Sequence, residues 1–277
     1  MFLQFGRILG AVLAVLVLNV MPVFAAEGNV DWDSRVITVT GMGAAPTNAV
    51  NPAQARMMAR RAAVADGYRQ LAEAVKGVNV DSETTVENMM VTSDVIKTKV
   101  SGLIQGASVV AEQVIPGGGY EVTMQMPMFG GNNSLASAVM PAAQAAPEAF
   151  PAPASNGSSA ADAPAGHAEG VYTGLVVDCR GLGLKPIMSP VIKNEQGSPI
   201  YGFKNLDYDK VIQYGMASYS NDPANVARAG AHPLVVKAVR VENHNGYPVI
   251  SLSDANKVLI ENGATHFLDA TCVVFIR

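Results

Sequence analysis

The chain has 277 residues, of which 49% are hydrophobic, 15% charged and 6% aromatic, with a formal net charge of −4. That length exceeds one small core and suits two domains of ordinary size, while the composition excludes disorder throughout. With no long Lys/Arg run, the chain has no electrostatic footprint for a polyanion, so nucleic acid and anionic lipid are not expected partners.

Met1 to Arg7 carries one positive charge, Ile8 to Val20 is an apolar run broken only by Gly10 and Asn19, and Pro22 precedes Val23-Phe24-Ala25. This is the pattern of a cleaved signal peptide over residues 1–25, cut after Ala25. The apolar run is too short for a spanning helix, which needs roughly 20 residues. No cysteine follows it to carry acyl chains, so no lipid anchor is expected. The mature chain is expected in the periplasm or secreted, in an oxidising compartment.

Arg35 to Thr40 alternates β-branched residues and predicts a strand that ends in a turn at Gly41-Met42-Gly43. Asn51 then caps a helix with Pro52 at its first position. Ala53, Met57, Val64, Tyr68, Leu71 and Val75 fall on one face; Arg56, Arg60, Asp66 and Arg69 form the solvated side, and Gly77 is the stop. Val78 to Val86 reads as a strand and Ser93 to Gln105 as a second helix. Ala107 to Ile115 and Tyr120 to Phe129 flank Pro116-Gly117-Gly118-Gly119 as a hairpin. These elements predict an N-terminal α+β domain over residues 34–131.

Residues 137–169 are dominated by Ala, Pro, Ser and Gly and predict a disordered linker. It buries too little apolar area to offset roughly 1–2 kcal/mol of backbone entropy per residue. A second α+β domain follows over residues 170–277. Thr173 to Cys179 predicts a strand, Val191 to Tyr201 a strand-turn-strand around Glu195-Gln196-Gly197, and Asp209 to Tyr214 a short helix. Leu234 to Val241 and Tyr247 to Leu252 flank His244-Asn245-Gly246, a strong hairpin signal. Ser253 is expected to cap a helix through Asn262 with Gly263 as its stop, and Thr265 to Ile276 closes the chain as a strand. The expected fold is thus α+β: two small domains, each with helices on a mostly antiparallel sheet, joined by a disordered linker.

The chemistry-bearing residues are sparse. Gly41-Met42-Gly43 lacks the third glycine of a dinucleotide loop, and Gly181-Leu182-Gly183-Leu184-Lys185 is too short and apolar to cradle phosphate. Met124, Met126 and Met128 alternate with Thr123 and Gln125 and are expected to face the core rather than a metal. His167, His232, His244 and His266 show no metal-ligand spacing. No serine-hydrolase, zinc-protease or paired-carboxylate arrangement appears, so no enzyme activity, cofactor or metal is expected. Cys179 and Cys272 both lie on apolar faces of strands. If those strands are neighbours, the two could form a disulfide worth about 4 kcal/mol on the chain-entropy model. Asp178, Arg180 and Lys185 sit around a tight bend and are candidate ligand or partner contacts.

The order of Ala55-Arg56 through Arg60-Arg61-Ala62-Ala63-Val64-Ala65-Asp66-Gly67-Tyr68-Arg69-Gln70-Leu71, then Val78 to Thr85, Ser93-Asp94, Gly106-Ala107 and Gly119-Tyr120-Glu121-Val122, resembles the Lpp-twenty lipoprotein family. That group of envelope proteins includes flagellar lipoproteins. The resemblance covers about a third of the chain, and Thr173 to Pro190 resembles C-terminal extensions found with the same family. It implies a non-enzymatic structural or assembly role in the envelope, flagellum- or outer-membrane-associated, with envelope proteins or further copies of the chain as partners. The competing expectation is a soluble periplasmic ligand-binding module that uses the 178–185 bend.

Overall fold

The computed structural model describes residues 29–142, 146–154 and 166–277. The expected signal peptide lies outside the described residues. In chain order the elements are β1 (Asn29–Asp31), β2 (Val36–Gly43), α1 (Pro52–Lys76), α2 (Val86–Thr92), α3 (Asp94–Gln105), β3 (Ser108–Ile115), β4 (Gly119–Pro127) and α4 (Leu135–Val139). There follow β5 (Gly174–Asp178), β6 (Ile192–Asn194), β7 (Pro199–Tyr201), α5 (Tyr208–Tyr214), β8 (Ser218–Ser220), β9 (Pro233–Glu242), β10 (Tyr247–Ile250), α6 (Leu252–Thr265) and β11 (Val273–Ile276).

The N-terminal module is an antiparallel sheet in the order β1-β2-β4-β3 with α1 across one face. Gly41 and Gly43 do not end the first strand in a turn; β2 runs through both. A Cβ on Gly41 would lie 2.2 Å from the Ala63 carbonyl oxygen, and one on Gly43 would lie 2.1 Å from that of Ala59. The helix approaches so closely that its buried stripe is Ala59, Ala63 and Gly67, continued by Gln70, Leu71 and Val75. Met57, expected on the buried face, is 68% exposed. Small residues win that face because backbone contact leaves no room for long side chains. Met124, Met126 and Met128 are buried, as alternation requires.

Val78 to Val86 is not a strand. The Asp81 carboxylate accepts from the Glu83 and Thr84 amides at 2.8 Å each, a local turn that competes with extended pairing. One bridge, Asn79 to Thr85, is all that remains, and Thr85 caps α2, which the sequence reading missed.

The C-terminal module is a seven-stranded sheet in the order β7-β6-β10-β9-β5-β11-β8. It is mixed rather than mostly antiparallel: β9-β5, β5-β11, β11-β8 and β6-β10 pair in parallel. The β9-β10 hairpin forms where expected, with Asn243, His244 and Asn245 all at positive φ. Helix α6 begins two residues earlier than predicted. Ser251, not Ser253, accepts from the Asp254 amide, and Gly263 lies inside the helix, which ends at His266 in the left-handed conformation. Residues 266–272 are turns, so β11 is only the last part of the expected strand.

The modules share one buried cluster that runs from Ile37 and Leu71 through Met128 and Leu135 to Val177, Tyr201 and Phe275. Backbone bonds cross between them: the Met188 and Ser189 amides donate to Asn79 and Val80 oxygens, and the Gly130 and Gly131 amides to Ile212 oxygen. Trp32 packs edge-on against Tyr219 of β8, so the edge of the large sheet is covered by the first module. The opposite edge of the small sheet, β3, is exposed along almost its whole length.

The described parts of the predicted linker are ordered against the second module. Asn205 Nδ2 donates to the Glu148 and Ala149 oxygens, and Phe150 stacks on Tyr201 at 6.4 Å. Asn256 both accepts from the Ala154 amide and donates to its oxygen, at 2.8 Å each. The Glu261 carboxylate accepts from the Glu169 and Gly170 amides. Side chains of the second module therefore satisfy backbone groups that the linker's own composition cannot.

Candidate functional site

A cavity of about 470 Å³ opens where the two modules meet. The first module supplies Asp33 and Arg35; the second supplies Tyr214, Ser218, Asn225, Arg228, Thr271 and Cys272. Arg35 sits in the turn just before β2, and its Nη1 donates to the Tyr214 carbonyl oxygen at 2.7 Å. Arg228 Nη1 donates to the same oxygen at 2.6 Å. Two guanidinium groups thus converge on the C-terminal carbonyl of α5, where the helix dipole is negative.

The two arginines differ in what they have left to give. Arg228 also donates from Nε to Thr271 oxygen, and from Nη2 to Gly215 oxygen and to Thr271 Oγ1. Four of its five N–H groups are spent inside the protein, whereas Arg35 uses one and keeps four. Burial pulls the Arg228 pKa down to about 10, and the nearby Arg35 charge acts in the same direction. Even so, Arg228 remains cationic at neutral pH. Among the described residues neither forms an ion pair. Asp33, on the cavity rim, instead accepts from Asn225 Nδ2 at 2.5 Å.

Two residues lining this cavity hold left-handed backbone: Arg35 at φ 60° and Thr271 at φ 56°. For β-branched Thr271 this conformation is a true outlier, costing on the order of 1–3 kcal/mol, and such strain clusters at functional sites. Here it is held in place by the Arg228 bonds to both Thr271 oxygens.

The residues singled out from the sequence lie elsewhere. Asp178, the last residue of β5, and Arg180 pair with each other at the surface in a two-pronged bridge, 2.9 and 2.7 Å. That bridge holds the Asp178 carboxyl down at about 2. Lys185 is exposed, and its amide donates to Asn245 oxygen, which ties the bend to the β9-β10 turn. None of these three lines the junction cavity. The bend is a surface feature in which Arg180 is already matched by Asp178.

Cys179 and Cys272 are both free. Their strands are indeed neighbours, but parallel: Leu175 lies beside Val273 and Asp178 beside Ile276. Cys272 therefore precedes the paired region and Cys179 follows it, which places them about 16 Å apart along the sheet at roughly 3.3 Å per residue. A disulfide needs Cα atoms within about 7 Å. Cys179 is buried and its thiol is pushed up to about 12 by burial and the Asp178 charge. Cys272, half-buried, faces the cavity.

Sequence reasoning missed Arg35 and Arg228. The only signal for Arg228 is its setting between Ala227 and Ala229-Gly230, small residues that let a guanidinium sink into the fold. Among the described residues no cluster of His, Cys, Asp and Glu could hold a metal ion.

Two family models match this architecture. Residues 33–126 match the LPP20 lipoprotein family, in agreement with the resemblance read from α1 and the β3-β4 hairpin. Residues 174–277 match a separate model, the second domain of Treponema pallidum Tp0624, so the C-terminal module is similar to that domain. No curated protein matches the chain. The chain is thus an LPP20-like module joined by one continuous core to a module similar to the Tp0624 second domain.

Proposed function

We propose that this is a non-enzymatic, exported cell-envelope protein with a structural or assembly role. The observation that carries the reading is the match of residues 33–126 to the LPP20 lipoprotein family. Two features of the fold support it. The modules are welded through a shared core, as suits a spacer that must hold a fixed geometry. Strand β3 leaves an unpaired edge with Val109, Val110 and Val114 between 39% and 52% exposed, a template on which a partner strand can add. A role at the flagellum or outer membrane belongs to this proposal as its finer form. Against the alternative of a ligand at the 178–185 bend stands the Asp178–Arg180 bridge, which lies outside the junction cavity.

The test is cross-linking in intact cells from a photoreactive residue at Val110, with cell fractions analysed in parallel. Envelope proteins or a second copy of the chain joined at that position are expected. Recovery of the chain in the cytosol, joined to no envelope protein, overturns the proposal.

A further inference from the structure

We propose that the junction between the modules binds the carboxylate of a small zwitterion, a free amino acid or the end of a short peptide, through Arg35 and Arg228. The inference goes beyond the envelope role and does not depend on it.

The charge of the cavity selects the ligand class. Its ionic lining is Asp33, Arg35 and Arg228, an excess of one positive charge, so a monoanion neutralises it and a dianionic phosphate does not. Arg35 holds four unspent N–H groups in a planar fork that fits a carboxylate with two parallel bonds. Ser218 Oγ, which makes no hydrogen bond within the described residues, adds a further donor on the wall. Volumes of this size suit a small molecule.

The neighbouring cavity explains why the ligand should carry a positive group as well. It shares Asp33 and Asn225 with the first and is lined by Asp31, Asp222 and Arg277, so its side chains carry an excess of negative charge. The Asp33–Asn225 contact is thus the seam of a dipolar cleft, cationic on the Arg35 side and acidic on the Asp222 side. A zwitterion laid across the seam matches both signs; a plain carboxylate matches one.

Residues from both modules build the site, so the full chain is the material for the test. Isothermal titration is run with triglycine, its C-terminal amide, its N-acetyl form and inorganic phosphate. Triglycine is expected to bind at least ten-fold more tightly than each of the other three. Arg35→Gln is expected to weaken triglycine at least ten-fold, and Arg35→Lys less. Asp222 is exposed, so Asp222→Asn leaves the fold intact; it should weaken triglycine and leave the N-acetyl form unchanged. Should Arg35→Gln fail to fold, the Arg35→Lys and Asp222→Asn titrations decide. No triglycine binding, equal binding of the amide or the N-acetyl form, equal binding of phosphate, or affinity indifferent to these substitutions overturns the proposal.

Discussion

Trp32 of the N-terminal module meets Tyr219 of the C-terminal module edge-to-face, with ring centroids 5.6 Å apart and planes at 74°. Tyr219 in turn packs on Phe275, and its hydroxyl both donates to Ile187 oxygen and accepts from the Ile187 amide. The chain contains a single tryptophan, so its fluorescence reports on the junction alone.

Because the modules share a core, they should unfold together. Denaturant curves followed by Trp32 fluorescence and by far-ultraviolet circular dichroism are expected to coincide. Tyr219→Phe should lower the unfolding free energy by about 1–3 kcal/mol and the common midpoint with it, since it leaves the buried Ile187 groups without their partner. Fluorescence changing well before the circular dichroism would mean that the modules separate first.

The approach of α1 to β2 is tested by Gly41→Ala, whose methyl group would sit 2.2 Å from a backbone oxygen that cannot step aside. A loss of about 3 kcal/mol or more is expected, at the upper end of overpacking costs. Gly102→Ala is the control: it lies within α3 with nothing within 4 Å, so a gain of about 1 kcal/mol is expected. Urea denaturation measures both.

The cysteines should react unequally. In the native protein a thiol reagent is expected to label half-buried Cys272 and spare Cys179, whose thiol is buried and pushed up to about 12. Both should label in denaturant. Mass spectrometry of the oxidised protein showing a bond between the two would contradict the parallel register of β5 and β11.

Arg180→Gln should raise the Asp178 pKa from about 2 towards the ordinary carboxylate range, as followed by carboxyl resonances in an NMR titration. A depressed carboxylate pKa stabilises the fold above the unfolded value near 4, and that contribution fades as pH falls from there towards 2. Arg180 is largely exposed, so at neutral pH the substitution should cost less than about 1 kcal/mol.

Glu261→Ala removes the acceptor of the Glu169 and Gly170 amides. Faster hydrogen exchange at those two amides is expected, with the Ala154 amide, held by Asn256, unchanged. Unaltered exchange at 169 and 170 would show that Glu261 does not hold this end of the linker.

Much of the architecture was legible locally. The α1 cap at Asn51, the β3-β4 and β9-β10 hairpins and the turn at Glu195-Gln196-Gly197 all rest on residues that favour their conformation without help from afar. The misreadings share a cause. Hydrophobicity placed Met57 on the buried face, but which face is buried depends on how near the sheet lies, and glycines at 41 and 43 set that distance. The same holds for the linker: its composition lacks apolar weight, but Asn205, Asn256 and Glu261 lie more than fifty residues beyond the atoms they bind.

By itself, the order of residues determined two α+β modules, their hairpins, the α1 cap at Asn51, the buried methionine strand and the family resemblance of the first module, because each depends on neighbours within a few positions. The tertiary structure alone decided that the modules share one core, that β5 and β11 run parallel and hold the cysteines apart, and that Arg35 and Arg228 meet over one carbonyl. Arg35 and Arg228 stand nearly two hundred positions apart, and a charge's worth depends on what the fold places beside it.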